Sequence, residues 1–309
     1  MRTIDQQTPR TDLTSPKVSE LVNALTVDVE DYFQVQAFEG RFPRSLWDDI
    51  PCRVEENIDY LLALFSKGNV RATFFTLGWI AERHPDMVRR IAAEGHELAS
   101  HGYDHRRVDE LQPSAFREDI RRAKRTIEDI IGMPVIGYRA PTFSISARNE
   151  WAYEILEDQG YSYSSSSYPI RHDLYGDAAG LRRPFQPRSG TVWEFPLSTR
   201  RLLRQNIPAA GGGYFRLFPY RISLMNLRHI NAVECVPCIF YCHPWEIDAN
   251  QPRVSGISKR TRLRHYMNLK TMPRRLARLI RDLRWDRMDI VFANWIGNAP
   301  SKVTEPAKA

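Results

Sequence analysis

Two hydrophobic rhythms alternate along the chain from about residue 23. Short apolar runs at 25–29, 70–76, 97–100, 134–138, 161–164, 191–195, 238–242 and 288–293 are rich in β-branched and aromatic residues, which predicts buried strands. Between them, apolar residues recur every three to four positions, as in Val54, Ile58, Leu61, Leu62 and Phe65, or Phe116, Ile120, Ala123 and Ile127. That spacing predicts helices, and Gly68, Gly95, Gly132 and Gly160 stand where they should stop. Residues 207–214 include three consecutive glycines and predict a flexible loop.

Strands alternating with helices predict an α/β protein with a parallel sheet, closed into a distorted (β/α) barrel. One pattern sharpens this. Asp28, His101, Arg139 and His243 each fall just after an apolar run, and in such barrels the strand C-terminal ends converge on one face.

Composition changes the picture little. The chain has 309 residues, 42% of them hydrophobic and 26% charged, as in an ordinary globular protein with room for a large core. No apolar run is long enough for a transmembrane helix. The polar first residues lack the apolar core of a secretory leader, which predicts a cytoplasmic protein. Four cysteines are too few for a disulfide framework in a chain of this size, and the Cys235–Cys238 pair has no second half to make a zinc site.

The net charge of +7 suggests a polyanion partner until it is localised. From Lys259 to Arg287 eleven lysines and arginines face only Asp282 and Asp286. The remainder is slightly acidic, which argues against nucleic acid. Leu276, Leu279, Ile280 and Leu283 form an apolar stripe in this segment, which predicts a helix docked on the body with a cationic outer face. That face is the candidate for a peripheral contact. The expected organisation is a disordered tail over 1–19, a barrel over 20–250, and a basic extension over 251–309 packed on the barrel, its end disordered.

The candidate chemistry starts at Asp28, Glu30 and Asp31, where an apolar run meets three carboxylates. Their desolvation and repulsion need a metal or a cationic partner. His101 and His105, four residues apart, can reach a single ion as neutral imidazoles. Two histidines and a carboxylate leave open positions for water and substrate, the layout of a catalytic metal site. A second carboxylate is then free to take a proton from that water. Strand alternation puts Asp28 and Glu30 on one side and Asp31 on the other. Arg139 would hold the base ionised and oriented, and His243, between Cys242 and Pro244, suits a general acid.

This set resembles the polysaccharide deacetylase family, with its NodB homology domain of the carbohydrate esterase family 4 type. The family pattern is an acidic strand end, H-x-x-x-H, R-x-P, and a late strand ending in histidine. Here these are 27–31, His101 to His105, Arg139-Ala140-Pro141 and His243. The sequence at 26–33, Trp193-Glu194-Phe195-Pro196 and the basic C-terminal segment are similar to the branch associated with exopolysaccharide and exosortase gene clusters.

The resemblance implies a seven-stranded barrel and a hydrolase removing N-acetyl groups from amino sugars of a polysaccharide or its precursor. It implies one divalent ion, zinc first, then cobalt, nickel or iron. Asp28 would be the base, His101 and His105 ligands, His243 the acid and Arg139 the tether of Asp28. Pro141 and Thr142 would lie at the substrate, a backbone N–H near Thr142 meeting the oxyanion, with Trp193 and Leu197 walling the acetyl pocket. The family usually has adjacent aspartates. Here Val29 separates Asp28 from Glu30, so either Glu30 or Asp31 completes the ligand set, with alternation favouring Glu30. Two rival expectations are a metal-dependent hydrolase of another C–N bond, in a small amide or ureide, and a non-catalytic polysaccharide-binding relative.

Overall fold

The computed structural model describes residues 21–173 and 175–297. The two tails expected to be disordered lie outside those residues. In chain order the strands are β1 (Asn23–Val29), β2 (Thr73–Thr76), β3 (Glu97–Ser100), β4 (Gly137–Tyr138), β5 (Tyr163–Ser164), β6 (Trp193–Glu194), β7 (Thr199–Leu202), β8 (Gln205–Pro208), β9 (Ile239–Cys242) and β10 (Trp285–Asp286). The helices are α1 (Val54–Gly68), α2 (Gly78–Arg83), α3 (Pro85–Ala93), α4 (Pro113–Ile131), α5 (Trp151–Asp158), α6 (Gly212–Leu217), α7 (Tyr220–His229), α8 (Lys259–Tyr266), α9 (Met272–Asp282), α10 (Met288–Val291) and α11 (Ala293–Ile296).

Seven strands pair in parallel in the order β9-β1-β2-β3-β4-β5-β6, the expected distorted barrel. The gap between β6 and β9 is crossed where the Ile239 N–H donates to Ser198 Oγ at 2.8 Å. An eighth strand, β10, pairs with the first residues of β1. Residues beyond 250 therefore contribute a strand to the sheet itself as well as helices packed outside it.

Alternation along the strands sorts the core into two layers. Leu25, Val27 and Val29 of β1 face outward into the large cluster beneath the helices. Ala24, Phe75, Ala99, Tyr163, Phe195, Leu197, Ile239 and Tyr241 fill the barrel interior. The same inward parity continues to Asp28, His101, Arg139 and His243 at the strand ends, which sets them on one rim.

The helices follow their apolar spacing. Val54, Ile58, Leu61, Leu62 and Phe65 are the buried face of α1, and Asn69 closes it in the left-handed conformation (φ 49°). Burying Leu276, Leu279 and Ile280 docks α9, each side chain contributing about 1.5–3 kcal/mol. Ile280 packs so close to Gly68 that a Cβ there would lie 2.5 Å from its Cγ2, so α1 must end in glycine.

Two expectations fail. Residues 288–293 form no strand: Met288, Val291 and Phe292 recur at helical spacing, and α10 and α11 carry Met288 and Phe292 into the barrel interior. The strand in this region is Trp285–Asp286 instead. Residues 207–214 are also not one loop. Ile207 and Pro208 belong to the β7–β8 hairpin, and Gly212 begins α6.

Gly137 in β4 faces Tyr163 in β5, where a Cβ would lie 2.3 Å from the ring. Tyr163 cannot yield, because its hydroxyl donates to Glu97 Oε1 at 2.8 Å inside the barrel. Gly137→Ala should therefore lower stability by about 1–3 kcal/mol through overpacking, measured by denaturant unfolding. An unchanged midpoint would show that this register has slack.

Candidate metal and catalytic centre

Arg139 is fully buried, and its side chain is held at every nitrogen. Nη1 donates to Asp28 Oδ1 at 2.5 Å and to Thr26 Oγ1 at 2.8 Å. Nε donates to the Ser165 carbonyl and Nη2 to Ser165 Oγ, both at 3.0 Å. The guanidinium also lies over the Phe75 ring at 4.0 Å. A buried cation this fully satisfied fixes the position of Asp28.

Glu30, His101 and His105 gather beside this pair, with ligand atoms within 4.8 Å of one another. His101 Nδ1 donates to the Arg139 carbonyl at 2.8 Å. This leaves Nε2 as a bare lone pair turned to the cluster, the usual arrangement of a metal-binding imidazole. Burial pushes His101 down to about 4, so the ring is neutral near pH 7. Glu30 Oε2 stands 2.8 Å from His105 Nε2 and is buried with no aligned hydrogen bond. Burial alone would raise the Glu30 carboxyl, but His105, His243 and His101 around it overcome that and hold it at about 2. Two neutral-capable nitrogens and an orphaned carboxylate oxygen fit a divalent ion. His105 reaches the cluster only in the left-handed backbone conformation (φ 55°), local strain of the kind found at functional sites.

Asp31 goes elsewhere. Its carboxylate accepts from Tyr32 N at 2.7 Å, Arg53 N at 2.5 Å and Val54 N at 2.9 Å. It caps the turn after β1 and ties down the first residues of α1. Burial raises it to about 6 even with these donors around it. Strand alternation is the reason for its absence from the cluster.

His243 sits across from Asp28. Its Nε2 is 3.4 Å from Glu30 Oε1, and its Nδ1 is 3.4 Å from Glu246 Oε2. Burial disfavours the imidazolium, yet Glu30 and Glu246 raise it to about 9. Glu246 is itself fixed by Arg216 Nε at 3.0 Å, and Arg216 also donates to the carbonyls of His265 and Met267. Behind His243 the Trp245 ring stacks at 5.1 Å. Sequence reasoning missed Glu246 and Arg216. The signal for Glu246 was its place three residues after a histidine opening a Pro-initiated turn, whereas Arg216 had none.

These groups open into a cavity of about 700 Å³ lined by Asp28, Glu30, His101, His105, Thr142 and His243 on one side. Tyr175, Tyr214, Tyr241, Asp173, Arg260 and Arg264 line the other. Thr142 stands in the left-handed region (φ 56°), rare for a β-branched residue, and Pro141 is buried behind it. Trp193 and Leu197 do not line this cavity. Their inward parity on β6 and just beyond it carries them into the barrel interior, where Leu197 is wholly buried and Trp193 stacks near Phe195. The aromatic wall is supplied instead by Tyr175, Tyr214 and Tyr241.

The fold and site define an open (β/α) barrel with a carboxylate–histidine cluster at its strand ends. Residues 45–164 match the family model "Polysaccharide deacetylase" and residues 165–293 match "Domain of unknown function (DUF3473)". Residues 45–164 are thus similar to polysaccharide deacetylases. It is 33% identical over 131 residues to a peptidoglycan-N-acetylglucosamine deacetylase of Bacillus cereus, covering 41% of this chain and 46% of that one. It is 30% identical over 139 residues to a peptidoglycan deacetylase of Helicobacter pylori, covering 45% and 43%. The match therefore spans less than half the length of these relatives. Among solved structures, one from Mycobacterium smegmatis provisionally described as a polysaccharide deacetylase superposes with a TM-score of 0.62 at 19% identity, covering 98% of this chain and all of that one. An allantoinase superposes at 0.58 with 16% identity, covering 92% and 93%. These two share the fold.

The geometry separates Glu30 from Asp31 experimentally. After loading with zinc and desalting, Glu30→Gln should lose the ion while its melting temperature stays near wild type. Asp31→Ala should keep the ion but lose about 1–3 kcal/mol of stability, because three buried N–H donors lose their acceptor. Elemental analysis with thermal unfolding checks both; loss of metal in Asp31→Ala alone would reverse the assignment.

Proposed function

We propose that the chain is a metal-dependent hydrolase that removes N-acetyl groups from amino sugars of a polysaccharide or its precursor. One observation carries this. A Glu30–His101–His105 cluster lies between an Arg139-clamped Asp28 and a cationic His243, in a chain whose residues 45–164 match the polysaccharide deacetylase model. The deacetylase names of the relatives, peptidoglycan in Bacillus cereus and Helicobacter pylori and chitooligosaccharide in Rhizobium leguminosarum bv. trifolii, support an N-acetylated glycan substrate. So does the size of the cavity and its tyrosine wall.

A divalent ion held by Glu30, His101 and His105, zinc on this donor set, would supply Lewis acidity to lower the pKa of a water and polarise the acetyl carbonyl. Asp28 takes the proton of the attacking water, and Arg139 keeps Asp28 aimed during that transfer. The Thr142 N–H donates to the acetyl oxygen as negative charge builds there. His243 gives its proton to the leaving nitrogen, so acetate and a free amine result. Glu246 holds His243 protonated and upright, and Arg216 holds Glu246.

Asp28→Asn should lower acetate release from N-acetylated chitooligosaccharides by about 10²–10⁴-fold, with zinc content near wild type. Substantial remaining activity would remove Asp28 from the base role. Chelation should abolish acetate release from the wild-type protein, with recovery on adding zinc. Chelator-resistant release would overturn the metal dependence. Turnover of a small ureide with none of the oligosaccharide would assign the chain to the other class of C–N hydrolase.

A further inference from the structure

The β7–β8 hairpin has a tip that nothing inside the molecule explains. Thr199 to Leu202 pair with Gln205 to Pro208, so Leu203 and Arg204 form a two-residue turn, and both have positive φ (46° and 64°). Such a turn favours Asn-Gly, and a leucine in the left-handed region is strained. Intramolecular packing does not offset this, because Leu203 is 90% exposed and its neighbour Leu202 is 45% exposed. Arg201 and Arg204 flank the two leucines, and neither has a carboxylate partner among the described residues. Arg201 meets only the neutral Asn206 Oδ1, at 2.9 Å.

The hairpin is also tied to the body. It leaves the sheet beyond β6, where Ser198 Oγ meets the first residue of β9. Asn206 Nδ2 donates to the Pro169 carbonyl at 2.8 Å, and Tyr168 Oη donates to the Ala210 carbonyl at 2.7 Å. The outer half of the hairpin at Asn206 and the residues just past its root at Ala210 are thereby joined to the segment carrying His172, Asp173 and Tyr175 of the cavity wall.

We propose that this tip docks the protein on an anionic lipid bilayer. Leu202 and Leu203 enter the boundary between headgroups and acyl chains while Arg201 and Arg204 meet lipid phosphates. The charge complementarity favours this occupant: apolar side chains at an extreme point, ringed by unpaired cations, match an interface that is apolar below and anionic above. The contact is weak and reversible, since two leucines and two arginines fall in the range of a single lipid anchor. The inference does not depend on the chemistry proposed for the site.

The test is sedimentation of the full chain with vesicles of phosphatidylcholine alone and with about 30% phosphatidylglycerol, at low and high salt. The wild-type protein should pellet with the anionic vesicles and much less with the neutral ones, and high salt should release it. Leu203→Asn suits the turn better than leucine, so the variant should fold with an unchanged or raised melting temperature and bind at least about tenfold more weakly. Arg201→Gln with Arg204→Gln should weaken binding to anionic vesicles and leave neutral ones unaffected. Three results would overturn the proposal: no association of the wild-type protein with anionic vesicles; undiminished association of Leu203→Asn, which would place the contact elsewhere; or self-association in solution that Leu203→Asn abolishes, which would make a second copy the occupant.

Discussion

The buried ion pair between Arg139 and Asp28 is the constraint around which the barrel rim is arranged. A guanidinium and a carboxylate removed from water are costly unless every remaining proton and lone pair finds a partner. Here the partners come from four strand ends. Thr26 and Asp28 belong to β1, Ser165 follows β5, Phe75 in β2 faces the cation, and the Arg139 carbonyl accepts from His101 after β3. The arginine that holds the candidate base thus orients a candidate ligand through its own backbone. Loosening any one of these strands would disturb base and ligand together, which makes the site a property of the sheet and not of a loop.

The family boundary at residue 164 does not coincide with a structural one. β5 ends at Ser164 and β6 lies in the next segment, yet the two strands pair in register. Ser165, which holds Arg139, and His243, Glu246 and Arg216 opposite it, all come from the part matched only to a domain of unknown function. That part therefore belongs to the same barrel, supplying β6, β9 and β10 of its sheet. It brings the candidate acid, the carboxylate that charges it, and most of the aromatic wall.

Much of the rim was legible in the sequence because two simple periodicities specify it. Alternation along β1 put Asp28 and Glu30 on one side and Asp31 on the other, and the apolar runs before His101, Arg139 and His243 announced strand ends. What escaped was set by long-range packing. Nothing local says that Arg216 will reach Glu246, or that Tyr175, Tyr214 and Tyr241 will gather around Tyr168 with ring centroids 6.1, 6.5 and 6.3 Å away. Residues 288–293 misled because a short apolar run fits strand and buried helix equally well. Trp193 and Leu197 misled because inward parity leads to the barrel interior as readily as to the cavity. The β7–β8 hairpin was invisible because its turn uses Leu203 and Arg204, where turn chemistry calls for asparagine and glycine.

The sheet order has a consequence for how the chain is made. β1 is the first strand among the described residues, and its partners are β2, β9 and β10, the last two of which lie far along the sequence, at Ile239–Cys242 and Trp285–Asp286. Until β9 leaves the ribosome, β1 can pair along one edge alone, with Leu25, Val27 and the carboxylates of Asp28 and Glu30 beside an open row of N–H and C=O groups. Such an edge invites mispairing, and contacts spanning so much sequence slow folding. The nascent chain thus holds its candidate base and ligand early but cannot seat them until β9 has been made, and its yield in a cell should depend on what shields β1 in the meantime.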